Sequence, residues 1–525
     1  VLAGVLSASA CGGGSGAAPP SDAGTTPAPP QGSVITIGLA TPVPLLDPAF
    51  IGSALARSVA AAVCTPLVTY LDAPGAEGRT LVPGLARDLP RVSADDRSFR
   101  VTLKSGLRFS DGKPLGPHDV QATFERLLSP AMHSPDAGLF ADLAGAAAYR
   151  SGRAGHLRGV RVQGHDVLFH LRAGDPSFVA RLATAAACPV EKGAPDAPDG
   201  RIWQGSATGP FRVAAVRPGH AVRLVPNPAY DPSLLGARGV GAGFEVRGAL
   251  GVAGARRCLR SRACDLILGV PPGRLGTLPG THASGLASGE LTVLRFEART
   301  PLSPLAESTV RRAVNLAIDR VAVARAMGGP LVAVPASGLM TPAMPGYRAT
   351  DPYPLRADRA LAHRLLVSSG VNLPFRATLV AAPADRAAAR VIVRDLRRVG
   401  VEVRVAAPPA HEPVDMVLSH FTPAYGDARA VLVGLLGPAG LTGGGPPGAG
   451  FDVAGLSDRV RVALGRGGEA RAAAFAELAL SLVRDDAPVA VLWRANFPVL
   501  STSRIGGMFA QPLYGLDLAA LRRAG

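Results

Sequence analysis

From Thr309 to Trp493 the apolar residues switch repeatedly between two spacings, and this alternation constrains the fold more than any other feature of the chain. Thr309–Met327 has helical spacing, with Val310, Val314, Ala317, Ile318 and Val321 on one face and Ser308 placed to cap it. Arg356–Ser369 repeats the pattern through Leu361, Leu365 and Leu366 and stops at Gly370. Asp385–Val399 ends at Gly400 and runs straight into the strand Val401–Val405. Glu469–Asp486 forms a further helix, closed by Pro488 and followed by the apolar strand Val489–Trp493. Helices that alternate with short buried strands predict α/β units.

The first half is richer in hairpins. Val34–Leu39 alternates as a strand, and Ala54–Leu71 reads as a helix leading into one. Phe99–Leu103 is a strand, and the following SGLRFSDGKPL reads as a second short strand with an Asp111-Gly112 turn. His118–Leu128 is helical; Val160–Val162 with Val167–Leu171, and Phe211–Val216 with Ala221–Val225, form two hairpins. No repeat of solenoid length occurs. A chain of 525 residues has room for about three to four units.

The start of the chain predicts export. Val1–Ala10 (VLAGVLSASA) is apolar and small, and without Met or a basic segment it reads as the end of a longer secretory signal. It runs into Cys11, as in a bacterial lipobox, where the Cys is acylated; Ala8 stands where Leu is usual, and the nearest Leu is Leu6. Gly12–Ser33 is a Gly/Ser/Pro tether that would span roughly 25 Å as a flexible coil. No later stretch offers ~18 uninterrupted apolar residues. Setting Cys11 aside leaves Cys64, Cys188, Cys258 and Cys264, an even number suited to an oxidising compartment, with three possible pairings. Cys258 and Cys264 could staple a short loop, which would leave Cys64 with Cys188.

Composition narrows the function. With 47% hydrophobic and 18% charged residues the chain is globular rather than disordered. The net charge of +16 is carried almost wholly by Arg, since Lys104, Lys113 and Lys192 are the lysines. The arginines are scattered singly without aromatic interleaving, which argues against a nucleic-acid groove and fits a GC-rich coding sequence. Ser110-Asp111-Gly112-Lys113 matches S-x-x-K, but Asp-Gly before Pro114 makes a turn where that chemistry needs a helix. No G-x-S-x-G, H-E-x-x-H or P-loop occurs, and no Cys/His spacing suits zinc. The expectation is a binding protein without cofactor or metal, not an enzyme.

Leu81–Leu127 (LVPGLARDLPRVSADDRSFRVTLKSGLRFSDGKPLGPHDVQATFERL) carries a further pattern: an LA segment, a strand ending in Leu-Lys, a Phe then Asp-Gly-Lys-Pro turn, and an Asp-Val helix with Phe-Glu-Arg. TGPFRV at 208–213, NPAY at 227–230, VRRAVNLAIDR at 310–320 and APV at 487–489 follow. In this order the pieces resemble the extracellular solute-binding proteins of family 5, the peptide- and nickel-type receptors that feed ABC importers. The resemblance implies a two-lobed, periplasmic-binding-protein-like α/β fold of class II with an extra subdomain inserted in the first lobe. Lobe one would comprise 34–66, 200–290 and 490–525, the insertion 67–199 and lobe two 291–489, with crossings near 290 and 490.

The same resemblance places a ligand wall in lobe two, at an aromatic residue followed by an Asp-Pro loop. The matching stretch is His420–Ala428, after the apolar strand Val414–Ser419. Aligning Phe421 with the aromatic puts Ala424 where dipeptide-type members carry the Asp that pairs with a peptide amine. Tyr425 instead resembles the aromatic-x-x-x-Tyr arrangement of nickel-chelate members, and Asp427 lies close by. Phe421 and Tyr425 could equally pack the lobe wall. Arg494 and Gly209 are further candidates, the first for a carboxylate and the second for its backbone. The expected protein is a monomeric, lipid-anchored receptor on the outer face of the cell membrane that captures an oligopeptide or similar polar solute for ABC permease subunits. The alternatives are a secreted hydrolase, or a solute sensor on the same scaffold without transport.

Overall fold

Two long antiparallel strands, Thr281–Phe296 and Val489–Thr502, run through the middle of the protein and carry its sheet from one half to the other. The computed structural model describes residues 33–195, 201–235, 241–270, 278–297, 303–408, 414–437, 453 and 455–523. On one side the second crossing strand pairs with Leu266–Leu268, which lies parallel to Ile35–Leu39. Phe244–Arg247 and the hairpin Ala221–Pro226 with Phe211–Arg217 complete that side. On the other side the first crossing strand pairs with Met416–Phe421, followed by the parallel strands Phe375–Val380 and Val401–Ala406. Ala333–Pro335 adds to the second crossing strand. The register between the crossing strands shifts between Ala287 and Leu291, so the ladder is weakest at Ser288-Gly289-Glu290.

A separate four-stranded antiparallel sheet is built from Arg91–Val92, Ser98–Thr102, Asp166–His170 and Val160–Gln163. Helix Pro117–Leu128 buries Val120, Phe124, Leu127 and Leu128, and its phenyl ring meets those of Phe140 and Phe169 edge-on. Asp119 accepts from the Gly116 N–H at 2.9 Å and so caps this helix. The core divides accordingly. One apolar cluster spans Leu291 to Trp493, a second lies between Ala49 and Ala187, a third joins Ile35 and its neighbours to Leu521, and a small fourth gathers Ala255, Leu259, Ile267 and Leu500. Disulfides link Cys64 to Cys188 and Cys258 to Cys264. Cys11 and its tether lie outside the described residues.

Four local expectations need correction. The stretch after Thr102 holds no second strand, only an isolated bridge between Arg108 and Pro114 around a turn in which Gly112 has φ +90°. Thr309–Met327 is two helices, Ser308–Ala317 and Arg320–Ala326, broken at an extended Ile318. Ser308 lies inside the first helix, and Asp319 caps the second by accepting from the Ala322 N–H at 2.8 Å. The break seats the buried Arg320 guanidinium, which donates to the carbonyls of Asn315 and Val491 at 2.8 and 2.7 Å and to the Asn315 side chain. Apolar spacing alone cannot register such a group. The helix starting at Gly468 widens to a π turn over Leu482–Asp486, and the strand after Pro488 continues to Thr502 rather than ending at Trp493.

Candidate functional site

A cavity of about 490 Å³ opens where the three larger clusters meet. One wall is the segment after strand Met416–Phe421. Along that strand Met416, Leu418, Ser419 and Phe421 are buried while His420 is exposed, and Thr422–Tyr425 then line the cavity. Asp427 ends the loop by capping helix Ala428–Leu436, accepting from the Arg429 N–H at 2.9 Å. Opposite stands helix Ala54–Val63, capped by Ser53, on which Arg57 is the one charged side chain. The remaining wall comes from Pro135–Asp142 and the segment after Arg181.

Two charged clusters occupy these walls. In the first, buried Arg181 pairs with Asp142 at 2.8 Å and Asp175 at 3.0 Å, and Arg429 reaches Asp175 at 3.2 Å across the cavity. Arg429 also donates to the Tyr425 hydroxyl at 3.3 Å. Burial opposes the charge on Arg429, but Tyr425 and Asp175 outweigh it and raise its pKa; burial raises that of Tyr425. In the second cluster His420 faces Asp385 at 3.1 Å and Glu290 at 3.0 Å, and its Nδ1 also lies 3.1 Å from the Thr292 hydroxyl. Hydrogen bonding to Asp385 and then to Glu290 lifts the His420 pKa to about 10. Glu290 sits on the register break of the first crossing strand, between His420 and Arg57. Arg57 donates to the Ser288 carbonyl at 3.4 Å, and burial lowers its pKa against the pull of Glu290 and Asp136. Burial likewise raises the Asp136 pKa to about 7, against the pull of Arg57.

Of the residues singled out in the sequence, Phe421, Ala424 and Tyr425 line this cavity. Tyr425 also packs into the apolar cluster between Ala49 and Ala187. Asp427, Arg494 and Gly209 stand elsewhere. Asp427 is buried as a cap and pairs with Arg471 at 2.8 Å. Arg494 lies 5.9 Å from the Tyr347 ring. Gly209 is pressed against the end of helix Ala54–Val63, where a Cβ would lie 2.7 Å from the backbone of Ala62 and Cys64. Sequence reasoning named His420 only as the start of the ligand-wall stretch and missed Arg57, Asp136, Arg181, Glu290 and Arg429. For two of these a signal exists: a lone Arg within an apolar segment, at Arg57 in ALARSVAAAV and at Arg181 in FVARL.

The Ser110–Lys113 pair is committed to the scaffold. The Ser110 hydroxyl donates to the Gly205 carbonyl at 2.8 Å, while Lys113 pairs with Asp111 and Glu191, each at 2.7 Å. Among the described residues no group of three metal-type side chains forms, and no helix is long and apolar enough to cross a membrane.

Comparison with known proteins follows the same architecture. The family model for bacterial extracellular solute-binding proteins, family 5 (middle), matches residues 80–443. The probable D,D-dipeptide-binding periplasmic protein DdpA of Escherichia coli K12 is 26% identical over 298 residues, 54% of this chain. The chain spans about half the length of that relative, 53%. Among solved structures, clavulanic acid biosynthesis oligopeptide binding protein 2 matches with a TM-score of 0.81 at 21% identity, covering 94% of this chain and 96% of its own. The unliganded open form of the periplasmic murein tripeptide binding protein MppA matches with a TM-score of 0.73 at 19% identity, over 94% and 98%. These likenesses establish a two-lobed solute-binding fold.

Proposed function

Since the chain belongs to the bacterial extracellular solute-binding proteins of family 5, we propose that it is the substrate-binding component of an ABC importer and captures a short peptide or similar polar solute between its lobes. The observation that carries this reading is the cavity of about 490 Å³ with walls from both sides of the crossing strands. That volume falls within the ~300–1,000 Å³ of small-ligand sites and would enclose a short solute rather than a long chain. The cognate solutes named for its relatives, a D,D-dipeptide and a murein tripeptide, are of that order. In this reading lobe one is 34–66, 200–290 and 490–525, lobe two is 291–489, and 67–199 is an insertion. The apolar cluster from Leu291 to Trp493 lies almost wholly within that lobe two, which supports its limits.

Capture would proceed by rotation about the two crossing strands, where the register break leaves the ladder easiest to bend. Closure expels water and strengthens the few polar contacts inside. Lipid on Cys11 and the tether behind it would hold a monomeric receptor beside its permease. Native mass spectrometry of freshly purified protein tests the proposal. The expected result is a small solute that leaves on denaturation, together with a lipid-sized increment on the Cys11 peptide. A protein that carries no solute and takes none up from peptide mixtures would overturn the capture reading.

A further inference from the structure

We propose that Asp136 is the subsite that receives a ligand's primary ammonium group, so that the captured solute is a short peptide presenting a free amino terminus. This rests on the solute-capture reading above and adds the group that selects among solutes.

Three carboxylates line the cavity among the described residues: Asp136, Asp142 and Glu290. Asp142 is held by Arg181 and Glu290 by His420. Asp136 differs, because its side chain accepts no hydrogen bond and makes no ion pair within 4 Å among the described residues. Arg57 acts on it through its charge alone, with Nη2 donating to the Ser288 carbonyl at 3.4 Å. A half-buried carboxylate without a partner is costly, and proteins retain one chiefly where a ligand or a reaction completes it.

The Asp136 backbone is fixed. Its N–H donates to the Ser134 hydroxyl at 3.1 Å, and that hydroxyl in turn donates to the buried Ala49 carbonyl at 2.6 Å. The peptide unit that carries the carboxylate is therefore held in place before any ligand arrives, which lowers the ordering cost of a contact there. A single free carboxylate without other metal-type ligands beside it suits an organic ammonium better than a metal ion. On the lobe-two wall Thr422–Tyr425 bring no carboxylate to an ammonium, and Asp136 performs this task from the opposite wall.

The charged groups sharing the cavity are Arg57 on helix Ala54–Val63, Glu290 on the first crossing strand, His420 on Met416–Phe421, and Asp142, Arg172, Arg181 and Arg429. With its pKa near 7, Asp136 changes charge around neutrality, where His420, near 10, stays protonated. Affinity for an ammonium should rise as pH increases through about 7, because only the ionised carboxylate attracts it.

The test uses synthetic tripeptides of Ala, Gly, Ser, Leu and Phe, whose α-ammonium is their sole cation, with the amino terminus free or acetylated. Retention is read by native mass spectrometry on the parent and on Asp136→Asn. The expected result is retention of free-amine peptides by the parent, with at least a tenfold loss on acetylation and the same loss in Asp136→Asn. Equal retention of acetylated peptides, or undiminished binding by Asp136→Asn, would overturn the assignment and leave solute capture standing. Retention of neither set would also overturn it, and the co-purified solute then decides the capture reading separately. The ligand-free variant supplies a second readout. Asp136→Asn should melt no lower than the parent above pH 7, since it removes an unpaired charge; a lower melting temperature would mark Asp136 as structural.

Discussion

His420 illustrates how a side chain without a sequence signature comes to hold two parts of the molecule together. Its ring lies between Asp385, which is buried, and Glu290 at the weak point of the crossing strands. Its folded pKa of about 10 stands above the ordinary 6.5, so the native state binds the proton more tightly than the unfolded chain does. The resulting stability is fully present below pH 6.5 and is lost as pH rises through about 10. His420→Leu should flatten stability against pH across that window. Near neutrality it should cost roughly 1–3 kcal/mol, because Asp385 is left buried and unpaired. Urea denaturation of both proteins at a series of pH values measures the difference; parallel curves would remove His420 from this role.

At the scale of elements, the chain is directed by polar groups placed where apolar spacing would carry it onward. The break between Ser308–Ala317 and Arg320–Ala326 is held by Asp319 and fills with the Arg320 guanidinium. Asp319→Ala should lower stability by about 1 kcal/mol through loss of the cap, without altering solute uptake. A denaturation midpoint equal to that of the parent would mean that Arg320 alone maintains the break. Gly400, with φ +94°, likewise turns helix Arg386–Arg397 into strand Val401–Ala406 at a backbone conformation that favours glycine.

For the whole molecule, the relation between lobes depends on few contacts beyond the crossing strands. Arg429 reaches Asp175, the Gly426 N–H donates to the Tyr70 hydroxyl at 3.1 Å, and Arg79 donates to the Met344 carbonyl at 3.0 Å. Each joins the second half of the chain to the first. Such links bias the lobes toward approach before any solute adds its own contacts. Arg429→Met should therefore shift the ligand-free protein toward an open form, visible as a larger radius of gyration in small-angle scattering. An unchanged radius would show that this pair does not hold the lobes together.

The sequence by itself determined the parts whose causes are local. The strand Ile35–Leu39, the helix Pro117–Leu128, both hairpins and the helix-to-strand steps of the second half lie within a few residues of where apolar period and turn residues place them. It also pointed to one wall of the cavity, through Phe421, Ala424 and Tyr425, because that wall is a single continuous segment. Only the tertiary structure decided the rest of the site. Arg57, Asp136, Arg181 and Glu290 are far apart in the chain, and what distinguishes them is shielding from water and the presence or absence of an opposite charge nearby. Those are properties of the folded space between elements, which no period along one element encodes. Asp136 is the clearest case, an ordinary Asp of a Ser-Pro-Asp turn in the sequence and, among the described residues, an unpartnered carboxylate on the cavity wall once the chain has folded.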